Sequence, residues 1–268
     1  MKLEGKVALI TGGARGMGRS HCLALAREGA HIATCDICKD YPVDWPLGKK
    51  NELDETIDQV QALGRKAIGL IADISKGSEV REMVERAINT FGRIDILVNN
   101  AAVDFLFEPC HETSEEDWDL MIDVNLKGTW LCCKYVIPHM MKQKSGKIIN
   151  ISSVCGFTGI ANVVPYTCSK HGVIGLTRSL AAELAPYKIN VNAVCPGAVD
   201  TPMLVESGRK IGISPSEAKI KWVESTLFRE LAQPRDISNA VVWLASEDSH
   251  FITGHALPSD GGWIGLTP

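Results

Sequence analysis

Val7-Ala8-Leu9-Ile10-Thr11-Gly12-Gly13-Ala14-Arg15-Gly16-Met17-Gly18 is the stretch whose reading decides the fold. Val7 to Thr11 is a short apolar run with no polar alternation, which reads as a strand buried on both faces of a parallel sheet. Gly12, Gly16 and Gly18 then let the backbone turn sharply into a helical segment that ends near Gly29. Such a turn lets main chain approach a pyrophosphate seated on the helix N-terminus. The spacing is Gly-x-x-x-Gly-x-Gly rather than the common Gly-x-Gly-x-x-Gly. Taken alone it is equally a tight strand-to-helix connection.

Working outward, a second strand from His31 to Cys35 ends at Asp36, eighteen residues beyond Gly18. A carboxylate there can accept hydrogen bonds from both adenosine ribose hydroxyls and repels a 2′-phosphate, which favours NAD over NADP. Arg15 argues the other way, because a base in the glycine turn could pair with that phosphate. A capping or solvated aspartate is the plain alternative. Residues 37–50 hold two prolines and a glycine without helical period, longer than the two to six residues usual for such a connection. This insertion would lie beside the adenosine half of a cofactor, with Tyr41 and Trp45 able to cover the adenine, or it is a surface loop.

The alternation continues. Leu53, Ile57 and Val60 mark a helix stopped at Gly64, and a third strand over 66–72 ends at Asp73. Val80, Met83, Val84, Ala87, Ile88 and Phe91 give a strongly amphipathic helix. A fourth strand over 94–98 runs into Asn99-Asn100-Ala101-Ala102, small and amide residues suited to a wall against ribose or nicotinamide. The next helix starts near Glu115 with a Thr113-x-x-Glu116 cap, carries Asn125 and reaches past Pro138. A fifth strand, 147–151, opens onto Ser152 and Ser153. A sixth, from Ile189 to Cys195, ends at Pro196-Gly197. Residues 198–230 form an excursion in which Ser214-Pro215-Ser216-Glu217 starts a helix, a candidate lid over a substrate. A last helix around Ile237 to Leu244 and a short strand near 255–257 complete the pattern. Strands alternating with helices predict an α/β fold, a doubly wound parallel sheet of about seven strands in one domain over 1–268.

Tyr166-Thr167-Cys168-Ser169-Lys170 puts a phenol and an ammonium on one helix face. The lysine charge favours the phenolate, giving a group able to exchange a proton near neutral pH. A solvated lysine beside a half-buried tyrosine is the bland alternative, and the motif needs its context.

Composition narrows the classes. The formal charge of −4, with no basic run, gives no reason to expect nucleic acid or an anionic membrane. No apolar run approaches a membrane span and no signal-peptide pattern is present, so a cytoplasmic protein is expected. Nine cysteines include one suggestive pair, Cys35-x-x-Cys38, which nothing completes into a metal pattern, and no metal site is expected.

The ordered set Thr11-Gly12-x-x-x-Gly16-x-Gly18, Asn99-Asn100-Ala101-Ala102, Asn125, Ser153, Tyr166-x-x-x-Lys170 and Pro196-Gly197 resembles the short-chain dehydrogenase/reductase family, over Leu3 to Gly262. Ala102 stands where that family commonly has glycine. The insertion, with Arg15, Gly18-Arg19-Ser20-His21 and Leu53-Asp54-Glu55-Thr56, resembles its carveol-dehydrogenase-like, mycofactocin-associated branch, whose members are associated with tightly held NAD. The resemblance implies a Rossmann-type fold and an NAD-dependent interconversion of a secondary alcohol and a ketone. It implies Tyr166 as acid/base and Lys170 as stabiliser of the phenolate and ligand of the nicotinamide ribose. Ser153, preferred over Ser152 by its offset of thirteen residues from Tyr166, would bond the oxyanion, and the Asn125 backbone would hold a water. Gly12, Arg15, Gly16, Met17, Gly18, Asp36 and Ile37 would line the cofactor from one side. Asp73, Ile74, Asn99, Ala101, Pro196, Gly197, Val199 and Thr201 would line it from the other, with Asp73 on the adenine.

For the substrate, Val103, Phe105, Cys155, Val163, Met203, Leu204 and Trp222, joined by Ser153, suggest a mainly apolar pocket. That favours an alicyclic, terpenoid, steroid or acyl compound over a free sugar. A lyase or epimerase using the same tyrosine and lysine, and a non-catalytic dinucleotide sensor, are the other classes. The helices over 118–135 and 173–184 are too apolar for full exposure, so a homodimer or homotetramer is expected, as in much of the family.

Overall fold

The computed structural model describes residues 1–39, 47–103 and 107–266. Its strands are β1 (Val7–Thr11), β2 (His31–Asp36), β3 (Ala67–Ile71), β4 (Ile96–Asn99), β5 (Gly146–Ile151), β6 (Ile189–Pro196) and β7 (Ala256–Ser259). They pair in parallel in one sheet, in the order β3-β2-β1-β4-β5-β6-β7. The helices are α1 (Gly16–Arg27), α2 (Lys50–Ala62), α3 (Gly77–Phe91), α4 (Glu115–Ile122), α5 (Thr129–Gln143), α6 (Val164–Leu184), α7 (Pro202–Lys210), α8 (Pro215–Val223) and α9 (Pro234–Ala245).

The central strands are buried on both faces because their alternate residues serve two cores. Leu9, Leu97 and Ile148 face Val84 and Ala87 of α3, Leu131 and Val136 of α5 and Leu184 of α6. Their neighbours Ala8, Ile10, Ile96, Val98 and Ile149 face Leu25 of α1 and Ile237, Val241 and Leu244 of α9. This period of two, filled with apolar side chains on both sides, is why the strands read as continuous hydrophobic runs.

Strand order reverses between β1 and β4, and the reversal opens a crevice beyond their carboxyl ends. The predicted elements all form, with three changes. α4 is capped by Ser114, whose hydroxyl accepts from the Asp117 amide at 3.1 Å, one residue later than expected. The helix through Asn125 is not uniform: a π-helical turn over Asp123–Gly128 joins α4 to α5. The excursion after β6 holds two helices, α7 as well as the expected α8, whose Ser214–Glu217 capping box is present.

Candidate active site

Gly16 adopts φ +55°, open to glycine without strain, and a methyl group at Gly18 would run into the carbonyl oxygen of Gly12. Glycine is therefore required where α1 starts, and Gly16, Met17 and Gly18 of its first turn line the crevice. At the end of β2, Asp36 turns back onto this loop. Its Oδ2 accepts from the Ala14 amide at 3.0 Å and its Oδ1 from the Ile37 amide at 2.9 Å. Burial pushes the Asp36 carboxyl above its ordinary range, and the two amides oppose that shift.

These residues wall an open cleft of about 1070 Å³, counting its solvent mouth. Of the expected cofactor residues, Gly12, Arg15, Gly16, Met17, Gly18, Asp36, Ile37, Asp73, Ile74, Ala101 and Thr201 all line it. Leu47 and Gly48, where the insertion returns toward α2, line it too; Tyr41 and Trp45 lie outside the described residues. Asp73 is 2% exposed. Its Oδ1 accepts from the amide and hydroxyl of Ser75, while Oδ2 has no hydrogen-bond partner among the described residues and only Lys76 Nζ at 3.6 Å.

Asn99 corrects an expectation. It is turned from the cleft into the core, where Nδ2 donates to Asn150 Oδ1 at 2.8 Å, and Asn150 in turn donates to Thr177 Oγ1 at 2.9 Å. The next residue, Asn100, is at the cleft instead, its Nδ2 donating to the Thr11 carbonyl at 2.9 Å. Alternation along β4 decides which amide faces which way.

A second cleft, of about 660 Å³, adjoins the first through Met17, Thr201 and Met203, which line both. Ser153, Cys155, Tyr166, Leu204 and Trp222 line it as expected, and so do Pro196, Gly197 and Val199, which were assigned to the cofactor alone. Val103 lies on the first cleft instead. Val163 is on neither: it is buried at the N-terminal end of α6. Phe105 lies outside the described residues. Sequence reasoning missed Trp263, whose ring stacks on Trp222 with centroids 5.8 Å apart. It follows the last strand in a glycine turn, where no period marks it.

On the wall of the second cleft, Ser153 follows the end of β5, its Oγ accepting from the Cys155 amide at 3.1 Å. Ser152 lines this cleft too, but its hydroxyl is committed, donating to the Lys170 carbonyl at 2.9 Å. Tyr166 is 7% and Lys170 3% exposed. Lys170 Nζ donates to the Ile151 carbonyl at 3.1 Å and sits 5.4 Å from the Tyr166 ring centroid. Burial pulls the Lys170 ammonium down to about 8, so its charge is held at neutral pH but within reach of titration. Asn125, in the π turn, grips Val103 from behind: Oδ1 accepts from the Val103 amide at 2.8 Å and Nδ2 donates to its carbonyl at 3.2 Å. Asn125 Nδ2 also reaches Ser169 Oγ at 3.4 Å on the helix of Tyr166. A phenol and a hydroxyl on the wall of the second cleft, with a buried ammonium behind the phenol, can manage a proton at an alcohol or carbonyl oxygen. Among the described residues no group of three or more His, Cys, Asp or Glu could hold a metal ion.

Residues 6–212 match the sequence profile of the short chain dehydrogenase family. (−)-trans-Carveol dehydrogenase of Rhodococcus erythropolis is 40% identical, over 97% of this chain and 98% of that protein. A 3-oxoacyl acyl-carrier-protein reductase of Thermotoga maritima is 36% identical, over 98% of this chain and all of that one. The crystal structure of carveol dehydrogenase from Mycobacterium avium in complex with NAD superposes with TM-score 0.95 at 36% identity, covering 98% of this chain and 99% of that one. Levodione reductase superposes with TM-score 0.92 at 30% identity, covering 99% of this chain and all of that one. The chain belongs to the short-chain dehydrogenase family, and its likeness to carveol dehydrogenases extends over nearly its whole length.

Proposed function

We propose that this protein is an NAD-dependent oxidoreductase interconverting a secondary alcohol and a ketone on a mainly apolar, alicyclic, terpenoid, steroid or acyl substrate. The observation that carries the reading is the buried Lys170 beside Tyr166, which lines a mostly apolar cleft adjoining the larger one walled by the glycine turn, Asp36 and Asp73. The residues present fit the cofactor. Asp73 Oδ2 is a buried acceptor without a hydrogen-bond partner among the described residues, and Gly16, whose Cβ position has nothing nearer than Thr201 at 3.9 Å, leaves main chain open to a phosphate in the cleft. Asp36 offers a carboxylate to ribose hydroxyls and repels a 2′-phosphate, so NAD is the cofactor it suits.

NAD, when bound, supplies acceptance and return of a hydride. The chain supplies the rest. The Tyr166 hydroxyl gives or takes the proton at the substrate oxygen, and the Lys170 charge beside it favours the phenolate. Ser153 Oγ donates a hydrogen bond to the same oxygen, a contribution of about 10²–10³ in rate for a preorganised donor. Asn125 keeps Val103 in place on the wall of the first cleft. Support for a cyclic or acyl substrate comes from the wall formed by Cys155, Met203, Leu204, Trp222 and Trp263 and from the substrates named for the relatives.

The test is Tyr166→Phe, assayed by NADH absorbance over a panel of cyclic alcohols and by direct NADH titration. Turnover is expected to fall by about 10²-fold or more with NADH binding retained. Substantial residual turnover would overturn the assignment.

We also propose a homodimer or homotetramer, because Trp118 and Trp130 on the α4–α5 run stand 39% and 42% exposed. Trp130→Glu should lower the mass read by light scattering after size exclusion. A monomeric parent protein would end the proposal.

A further inference from the structure

Arg19, one turn into α1, points away from both clefts and yet carries the densest set of hydrogen bonds around the glycine turn. Its Nη2 donates to the Ala14 carbonyl at 2.7 Å and to the Glu52 carbonyl at 2.8 Å. Its Nε lies 3.0 Å from the Ala14 carbonyl and 3.0 Å from Thr56 Oγ1. Thr56 is fully buried on α2, and the acceptor nearest its single hydroxyl proton is the Gly13 carbonyl at 2.9 Å, ahead of the Glu52 carbonyl at 3.1 Å and the Ala14 carbonyl at 3.3 Å. Two successive peptide groups of the turn are thus held by their oxygens.

The geometry of a trans peptide makes this consequential, since C=O and N–H point opposite ways. The Gly13 carbonyl held by Thr56 belongs to the same peptide as the Ala14 amide, which donates to Asp36 Oδ2 at 3.0 Å. One peptide plane is pinned at both ends, by α2 on one side and the ribose-facing carboxylate on the other. The Glu52 contact fixes the first turn of α2, and Glu52 Oε2 in turn accepts from the Lys49 amide at 2.8 Å. Next to Lys49, the Gly48 backbone rests on the same place: a Cβ there would lie 2.7 Å from Asp36 Oδ1 and 2.8 Å from the Ala14 Cβ. The ion pair of Arg19 with Glu55, at 2.9 Å, lies on the outer side, where Glu55 is 55% exposed.

We propose that Arg19 and Thr56 are positioning residues for the cofactor, a latch between α1 and α2 that sets Ala14, Asp36 and Gly48 as the adenosine-ribose wall. This rests on the NAD reading above. It also gives a physical reason for Leu53-Asp54-Glu55-Thr56 and for the arginine after Gly18. The motif closes the insertion by returning a hydroxyl and a carbonyl to the glycine turn.

The experiment is direct titration of NADH and NADPH, followed by protein and nucleotide fluorescence, on the full chain and on Arg19→Ala, Arg19→Lys, Thr56→Val, Thr56→Ser and Glu55→Gln. Thermal denaturation and kcat at saturating cofactor are measured alongside. Arg19→Ala and Thr56→Val should each weaken NADH binding by about tenfold or more, the loss expected for a hydrogen bond to a charged group, with kcat within about twofold. Thr56→Ser should recover most of the affinity, and Arg19→Lys only part, since one ammonium cannot span two carbonyls as the guanidinium does. Glu55→Gln should bind within about twofold of the parent, as an exposed ion pair contributes little. Preference for NADH over NADPH should narrow in the two weakened variants. The latch is overturned if Arg19→Ala and Thr56→Val lose thermal stability but bind NADH like the parent, or if Thr56→Ser is as weak as Thr56→Val. Absence of NADH binding by the parent protein, with no nucleotide released when it is denatured, would overturn the cofactor reading itself, and the latch with it. If Arg19→Ala does not fold, the Thr56→Val and Thr56→Ser pair decides the matter.

Discussion

Ser152 and Ser153 carry the same hydroxyl and stand next to each other just beyond β5, yet their hydrogen bonds assign them different work. Ser152 donates across to the Lys170 carbonyl and helps dock α6 on β5. Ser153 accepts from the Cys155 amide, which leaves its own proton to give to an oxygen in the second cleft. The two alanine substitutions should therefore part company. Ser153→Ala is expected to lower kcat by about 10²-fold, the scale for losing one oxyanion donor, with little change in thermal stability. Ser152→Ala should instead cost about 1 kcal/mol of stability, the usual net value of one such hydrogen bond, with a far smaller loss in kcat. Both readings come from steady-state kinetics and denaturant melts on the same preparations. Equal kinetic losses would erase the distinction between the serines. Sequence alone separated them only through the family's spacing to Tyr166; the hydrogen bond of Ser152 gives the reason.

At the scale of elements, what was legible in the sequence is what repeats. The central strands β1 and β4 show as apolar runs, β6 shows by alternating Ile189, Val191 and Ala193 with Asn190 and Asn192, and α3 shows because Val80, Met83, Val84 and Ala87 keep helical period and are all buried. Ser214 and Glu217 could be read as a capping box because both partners are local. The less legible features depend on contacts distant in sequence or on backbone without a period. Asn99 and Asn100 look alike in the sequence; the pleat of β4 sets them on opposite sides, and the partner Asn150 on β5 shows which side is the core. The π turn over Asp123–Gly128 keeps a helical composition, so nothing in Asp-Val-Asn-Leu-Lys-Gly announces it. Such turns collect at functional sites, and here the turn carries Asn125. The Thr129 hydroxyl donates to the Asn125 carbonyl at 2.8 Å, which fastens the turn to the start of α5. Thr129→Val keeps the shape and removes the donor. It should lower the melting temperature by about 2–4 °C, the shift expected of about 1 kcal/mol in a chain of this size. A melting temperature equal to the parent's would show that the hydroxyl does not fasten the turn.

Across the whole molecule, the parallel sheet gathers β1, β2, β4, β5 and β6 so that their carboxyl ends meet, and the nucleotide turn shares a helix with the closing contact of the fold. That helix is α1, and opposite it packs α9. Between them His21 is buried, its Nδ1 2.8 Å from Ser238 Oγ, with no hydrogen-bond partner for Nε2 among the described residues. Burial lowers the His21 pKa from 6.5 to about 3. The sign follows from linkage. Below about 6.5 the unfolded chain takes up a proton at this residue that the folded chain refuses, so stability is lost as pH falls from there toward the folded value. Between about pH 7 and about pH 5 this amounts to about 2 kcal/mol. Asp36 acts with the opposite sign, because its raised carboxyl pKa makes the folded form the readier proton acceptor, and its window lies lower, around and above the ordinary 3.8. Urea melts across that pH range should show the parent losing about 2 kcal/mol more than His21→Asn, which keeps a polar side chain but cannot titrate. Parallel pH curves for the two proteins would mean that α1 and α9 separate enough to let His21 take its proton without unfolding the rest.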